Sequence, residues 1–208
     1  MKLYDHPRSS AAYRVRIALQ LKGCVYEQVQ VEFPRDPTDP RVTAYRAIHP
    51  QGFVPALEHD GQLLIQSLAI IEYLDACFPE PPLIPAAPVE RAQARALAQM
   101  VACDIHPLNN LRVRLHLGAT LAQDDAGVDR WCRRWIEDGF AALETQLAQL
   151  SDGRYCVGGR ISIADVVLVP QVRNARLHAV ELARFPTIDR VAAHLETLGA
   201  FVRAAPSA

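Results

Sequence analysis

Apolar positions change rhythm several times in the first eighty residues. Residues 2–4 read as a short strand. Residues 11–22 carry a helical pattern, with Gly23 just past its end. β-Branched residues at alternate positions predict a second strand over 25–31. Residues 38–48 are weakly helical. Residues 55–58 and 62–65 are short strands joined through His59-Asp60-Gly61, a hairpin signal. Residues 67–78 are strongly helical, with Leu68, Ile71, Leu74 and Asp75 around the turns. Beyond residue 88 every long segment is helical, over 89–117, 129–150, 162–177 and 187–198. In the second of these, Trp131, Trp135, Phe140, Leu143, Leu147 and Leu150 recur at helical spacing. That stripe predicts a packed core rather than a cofactor box.

This order fixes a topology. A helix between the first two strands permits a parallel pair, whereas the short connection between the last two demands an antiparallel one. The first half is therefore expected to be a mixed four-stranded sheet covered by helices, the thioredoxin-like arrangement. Residues 79–88 hold five prolines in ten positions, which stop the preceding helix and stiffen the chain. A proline-rich docking peptide fits less well there, because the segment sits between two cores. The expected fold class is thus α/β plus all-α. Residues 1–80 form a thioredoxin-like domain, 81–88 a linker, and 89–208 an all-helical domain.

Composition narrows the partners. The 208 residues carry a net charge of −1, half are hydrophobic and 22% are charged. That balance gives no electrostatic footprint for nucleic acid or an anionic membrane. The N-terminal residues lack the apolar core of a signal peptide, and the apolar stretch 161–169 is interrupted by Ser162 and Asp165. A cytoplasmic protein is expected. Five cysteines occur without a C-x-x-C spacing, which predicts buried free thiols. Cys103 and His106 stand at i, i+3, but two ligands do not make a metal site, and none is expected.

Three local signals carry chemistry. Phe53-Val54-Pro55 precedes a strand, where a proline is tolerated. A cis bond at Pro55 would leave the Val54 backbone N–H and C=O to pair with an extended peptide, and an ordinary trans turn is the alternative. Gln66-Ser67 opens a helix. There Ser67 can cap the helix, while the same N–H groups and dipole end suit a carboxylate. Ser162-Ile163-Ala164-Asp165 has the form of a capping box, a structural device with no part in catalysis.

Together these features resemble the cytosolic glutathione transferases over essentially the whole chain. Residues 8–19, from Arg8-Ser9-Ser10 through Leu19, are similar to the zeta-class signature. So are residues 66–74, Asn109-Asn110-Leu111, Tyr155-Cys156-Val157-Gly158 and Val169-Pro170-Gln171-Val172. The eukaryotic pattern Ser-Ser-Cys-Ser is Ser-Ser-Ala-Ala here, so Ala11 supplies no thiol beside the serines. The stretch 102–107 resembles bacterial members, including maleylpyruvate isomerases.

The resemblance implies glutathione as cofactor and its thiolate as nucleophile. A thiol of pKa about 8.5 is mostly protonated at neutrality, and a helix N-terminus with a hydroxyl donor favours the anion. Ser9 is the first choice for the thiolate partner and Ser10 the second. Val54 and Pro55 are implied at the cysteinyl backbone, and Gln66 and Ser67 at the γ-glutamyl carboxylate. Arg8 and Arg176, on opposite domains, are expected to hold the carboxylates of a maleyl diacid. His106, Asn110 and Arg112 match family positions facing the site. The implied reaction is cis–trans isomerisation of maleylacetoacetate to fumarylacetoacetate in a homodimer. Alternatives are maleylpyruvate isomerisation, conjugation or dehalogenation of small electrophiles, and a non-enzymatic interaction module.

Overall fold

A computed structural model describes residues 1–34 and 38–206. In chain order its strands and α-helices are β1 (Lys2–Asp5), α1 (Ser10–Leu21), β2 (Glu27–Gln30), α2 (Pro40–Ile48), β3 (Ala56–His59), β4 (Gln62–Ile65), α3 (Ser67–Cys77), α4 (Pro88–Gln99), α5 (Leu111–Thr120), α6 (Asp125–Leu150), α7 (Ile163–Leu177), α8 (Pro186–Leu195) and α9 (Gly199–Ala204). The chain divides into two compact units, Met1–Pro82 with Gly199–Ala208, and Leu83–Leu198.

The first unit is the expected mixed sheet, in strand order β2-β1-β3-β4. β1 pairs parallel with β2 and antiparallel with β3, and β3 pairs antiparallel with β4. His59 faces Gln62 across the hairpin, leaving a two-residue loop. Its central residues, Asp60 and Gly61, have φ of 48° and 70°. A type I′ turn requires positive φ at both, which suits this pair. Leu3, Leu57, Val15, Ile17, Leu19, Ile70, Ile71 and Leu74 are fully buried. Each contributes on the order of 1.5–3 kcal/mol by leaving water.

Buried charge ties α1 in place. Arg16 on α1 donates through one terminal nitrogen to Asp5 Oδ2 at 2.6 Å and through Nε to the Ala204 carbonyl at 2.9 Å. Lys22 Nζ, just past α1, donates to Asp75 Oδ1 and to the Pro81 carbonyl, each at 2.6 Å. The sequence reading contained no counterpart of α9, which packs against α1.

In the second unit every described regular element is helical. The expected continuous helix over 89–117 is broken into three parts. After α4 the chain widens into a π-helical turn at Met100–Ile105 and tightens into a 3₁₀ turn at His106–Asn109, before α5 begins. Pro107 explains the break. It has no N–H to give, and its ring would strike the carbonyl four residues earlier in an α-helix. The His106 N–H accordingly reaches back five residues to the Val101 carbonyl. Gly139 on α6 accommodates this turn, since a Cβ there would lie 2.3 Å from Ile105 Cγ1.

Of the expected α6 stripe, Phe140, Leu143 and Leu147 are buried, joined by Cys132 and Ile136, while Leu150 is half-buried. Trp131 and Trp135 lie at its half-buried margin, edge to face with centroids 5.7 Å apart. The capping box forms: Asp165 Oδ2 accepts from both the Ser162 N–H and the Ser162 hydroxyl at 2.8 Å, and Oδ1 accepts from the Cys156 N–H at 2.8 Å. All five cysteines are free thiols. Cys132 and Cys156 are buried as expected, but Cys77 and Cys103 are exposed and Cys24 is half-buried. No described helix is long and apolar enough to cross a membrane, and no group of three or more metal-ligating side chains is found among the described residues.

Candidate active site

The site in the first unit is built from two helix starts and one loop. Helix α1 opens at Ser9-Ser10. Ser9 is its N-cap, in extended backbone conformation (φ −78°, ψ 116°), and its Oγ accepts from the Ala12 N–H at 3.1 Å. A serine hydroxyl has one hydrogen and two lone pairs, so capping leaves the Ser9 hydrogen free to donate. Capping and thiolate binding are therefore compatible in one side chain. Ser10 is the first helical residue and is buried.

The loop before α1 is held through His6. The Ser9 N–H donates to the His6 carbonyl at 2.9 Å, and the Arg8 N–H donates to His6 Nδ1 at 3.2 Å. Burial, and after it the Arg8 charge, push the His6 imidazole below its ordinary value. A neutral ring accepting through Nδ1 agrees with that direction. The Arg8 side chain is exposed.

The second helix start is Gln66-Ser67. Gln66, not Ser67, is the N-cap of α3, and it makes no side-chain cap bond. It has φ of 71°, a backbone region that non-glycine residues seldom occupy. Such conformations cluster at ligand sites. Ser67 is thus the first helical residue, and the bland expectation that it caps the helix is set aside by this geometry. Ser67 is buried, and its hydroxyl instead accepts from a terminal nitrogen of Arg14 at 3.2 Å.

The Val54–Pro55 bond between these two helix starts is cis. The loop carrying it is fixed from three sides. Tyr45 Oη donates to the Phe53 carbonyl at 2.7 Å. The Gly52 N–H donates to the His49 carbonyl at 2.7 Å, with Gly52 at φ 64°. Gln66 Nε2 donates to Gln51 Oε1 at 3.0 Å, tying the loop to the α3 start. His6, Phe33, Tyr45, His49 and Phe53 form a chain of ring contacts with centroids 5.5–6.5 Å apart. Burial lowers the His49 pKa and raises that of Tyr45, so both are neutral at physiological pH.

The remaining predicted residues lie in the second unit. Asn110 caps α5, its Oδ1 accepting from the Arg112 N–H at 3.2 Å, and its Nδ2 lies 3.4 Å from His106 Nε2. The broken helix thus brings His106, Asn110 and Arg112 to one turn. Arg176, near the end of α7, is half-exposed and bonded to Glu196 Oε1 at 2.6 Å.

Three contributors were missed from sequence. Tyr45 and Gln51 act from α2 and a loop, and no local pattern marks them. Arg14 is visible in the sequence only as a charge in the middle of a helix, and the structure adds that residues 12–19 of that helix are all buried.

Residues 3–82 match the glutathione S-transferase N-terminal domain family, and residues 125–197 match the corresponding C-terminal domain family. The chain is 48% identical over 205 residues to a probable maleylacetoacetate isomerase of Vibrio cholerae, covering 98% of this chain and 94% of that protein. A solved maleylpyruvate isomerase, a bacterial zeta-class glutathione S-transferase in its holo form, superposes with a TM-score of 0.93 at 45% identity, covering 99% and 97% of the two chains. A maleylacetoacetate isomerase from Methylobacterium extorquens AM1, solved with malonate and glutathione bound, superposes with a TM-score of 0.92 at 40% identity, covering 99% and 96%. The chain belongs to the glutathione S-transferase family, and within it to the zeta class of maleylacetoacetate and maleylpyruvate isomerases.

Proposed function

We propose that this protein is a glutathione-dependent cis–trans isomerase acting on maleylacetoacetate, with maleylpyruvate as the second candidate substrate. The observation that carries the reading is the conjunction, in one unit, of Ser9-Ser10 at the α1 start, the Phe53-Val54-Pro55 loop held by Tyr45, and the Gln66-Ser67 start of α3, which lacks a side-chain cap. These offer a hydroxyl donor to a thiolate, a backbone edge to a peptide, and helix N–H groups to a carboxylate. Glutathione has all three groups, and the relative from Methylobacterium extorquens carries it. That relative also holds malonate, a dicarboxylate, which supports a diacid substrate here.

In this reading Ser9 is the main partner of the glutathione sulfur and Ser10 a secondary one. Val54 and Pro55 receive the cysteinyl backbone, and Gln66 and Ser67 the γ-glutamyl carboxylate. His106, Asn110 and Arg112 contribute further cofactor contacts. Arg8 and Arg176 take the substrate carboxylates. Residues 1–80 act as the glutathione-binding domain, 81–88 as the linker, and the helices that follow, up to Leu198, as the substrate domain. A cytoplasmic homodimer completes the proposal.

The chemistry follows. The thiolate adds to the cis double bond, and the electron pair moves onto the conjugated carbonyl oxygen, where cationic or N–H donors stabilise it. The former double bond is single and rotates. The electron pair returns, the carbon–sulfur bond breaks, and the trans product leaves with the thiolate regenerated. Glutathione is therefore not consumed. Quantifying free thiol before and after complete conversion tests this. Full recovery supports isomerisation, and stoichiometric loss would move the assignment to conjugation.

A further inference from the structure

Arg14 heads the largest fully buried side chains of the protein, at 2% exposure. A buried guanidinium is costly unless its surroundings repay it, so its partners reveal what it does. Arg14 stands five positions after Ser9 on α1, and its terminal nitrogen donates to Ser67 Oγ across to α3. One side chain thus joins the helix that presents the thiolate partner to the helix that starts at Ser67.

The direction of that bond matters. Arginine only donates, so Ser67 accepts here. With one lone pair engaged by a cation, the Ser67 hydrogen is left to donate elsewhere. Donation from a charged group also polarises the hydroxyl and strengthens its own onward bond. Ser67 stands at the positive end of an 11-residue helix whose N-cap side chain makes no cap bond.

We propose that Arg14 is a positioning residue for the γ-glutamyl end of glutathione: it turns the Ser67 hydroxyl outward as a polarised donor to the α-carboxylate. The inference rests on the assignment of Ser67 to that carboxylate. It gives Arg14 a role in ligand selection that a purely structural tie between α1 and α3 would not have.

The test compares glutathione with γ-aminobutyryl-cysteinyl-glycine, which lacks only the γ-glutamyl α-carboxylate. Binding of both is measured by calorimetry on the full-length wild type, R14M, R14K, S67A and R14M/S67A. The readout is the preference for glutathione over the analogue. R14M is expected to lose roughly tenfold of that preference and R14K about threefold, on the scale of one charge-assisted hydrogen bond. R14M is expected to add no further loss in the S67A background. If R14M weakens both ligands equally, or S67A loses the preference while R14M keeps it, Arg14 is only a tie and the inference is overturned. If S67A itself keeps the preference, the Ser67 assignment fails and takes the inference with it. Should R14M not fold, an unchanged preference in R14K overturns the proposal.

Discussion

Ser9 Oγ accepts the Ala12 N–H at 3.1 Å, so the residue proposed to hold the thiolate also starts the helix that carries it. Replacement by alanine should therefore have two effects. Loss of the cap costs about 1 kcal/mol of stability. Loss of a charge-assisted bond to the thiolate should lower turnover by roughly 10–100-fold. Ser10→Ala, which removes no cap, should be the milder change on both counts. Thermal unfolding and steady-state rates separate the two contributions. Undiminished turnover in Ser9→Ala excludes it as the main partner of the sulfur.

His6 should titrate below its ordinary value, chiefly through burial and then through the Arg8 charge. Between that depressed native value and about 6.5, the unfolded chain binds a proton that the folded chain refuses. This residue's contribution to stability is thus complete above about 6.5 and is lost as pH falls through that window. Arg8→Ala removes one lowering influence, so the His6 pKa should rise. An NMR titration of the imidazole in both proteins reads the shift, and a fall in Arg8→Ala would contradict the arrangement.

Arg176 is engaged by Glu196 at 2.6 Å with both side chains partly in solvent. An exposed pair of this kind contributes roughly 0–1 kcal/mol to stability. Arg176→Ala should therefore leave the melting temperature nearly unchanged while raising KM for the diacid roughly 10–100-fold, the scale of a bidentate carboxylate contact. Glu196→Gln leaves Arg176 without its anionic competitor and should lower KM. A large melting shift without a KM change would assign Arg176 to the structure instead.

The Asp165 carboxyl is fully buried, and burial raises its pKa to about 6 despite the donors that Ser162 and Cys156 aim at it. Between the unfolded value near 4 and about 6 the folded chain holds the proton more tightly. Its contribution to stability therefore falls as pH rises through that range. Asp165→Ala strands the Ser162 and Cys156 N–H groups, at about 1–3 kcal/mol each. The destabilisation of Asp165→Ala relative to wild type should be larger at pH 4.5 than at pH 7.5. The reverse order in denaturant unfolding would contradict the buried protonatable state.

Much of the fold was legible because its signals are local. Alternation placed the second strand, the Asp60-Gly61 pair placed the hairpin, and Ser162 with Asp165 announced the start of α7. The helix break before α5 was less legible. Ala, Arg, Leu and Gln continue the helical pattern on both sides of it, while a single residue, Pro107, forbids the regular bond. Helix α9 was missed because its six residues are held by α1 side chains such as Arg16, a tertiary cause with no periodic trace. At the site, the contiguous groups Arg8-Ser9-Ser10 and Gln66-Ser67 could be found from the chain alone. Tyr45, Gln51 and the bond from Arg14 to Ser67 could not, because each depends on which element folds against which.

The most direct test of the central claim is a spectrophotometric assay of maleylacetoacetate and maleylpyruvate, with and without catalytic glutathione. The account predicts formation of the trans product only when glutathione is present, without net loss of thiol, and with maleylacetoacetate the faster substrate. Faster turnover of maleylpyruvate would transfer the assignment to that diacid. Isomerisation that proceeds equally without glutathione, or none on either substrate, would contradict the account.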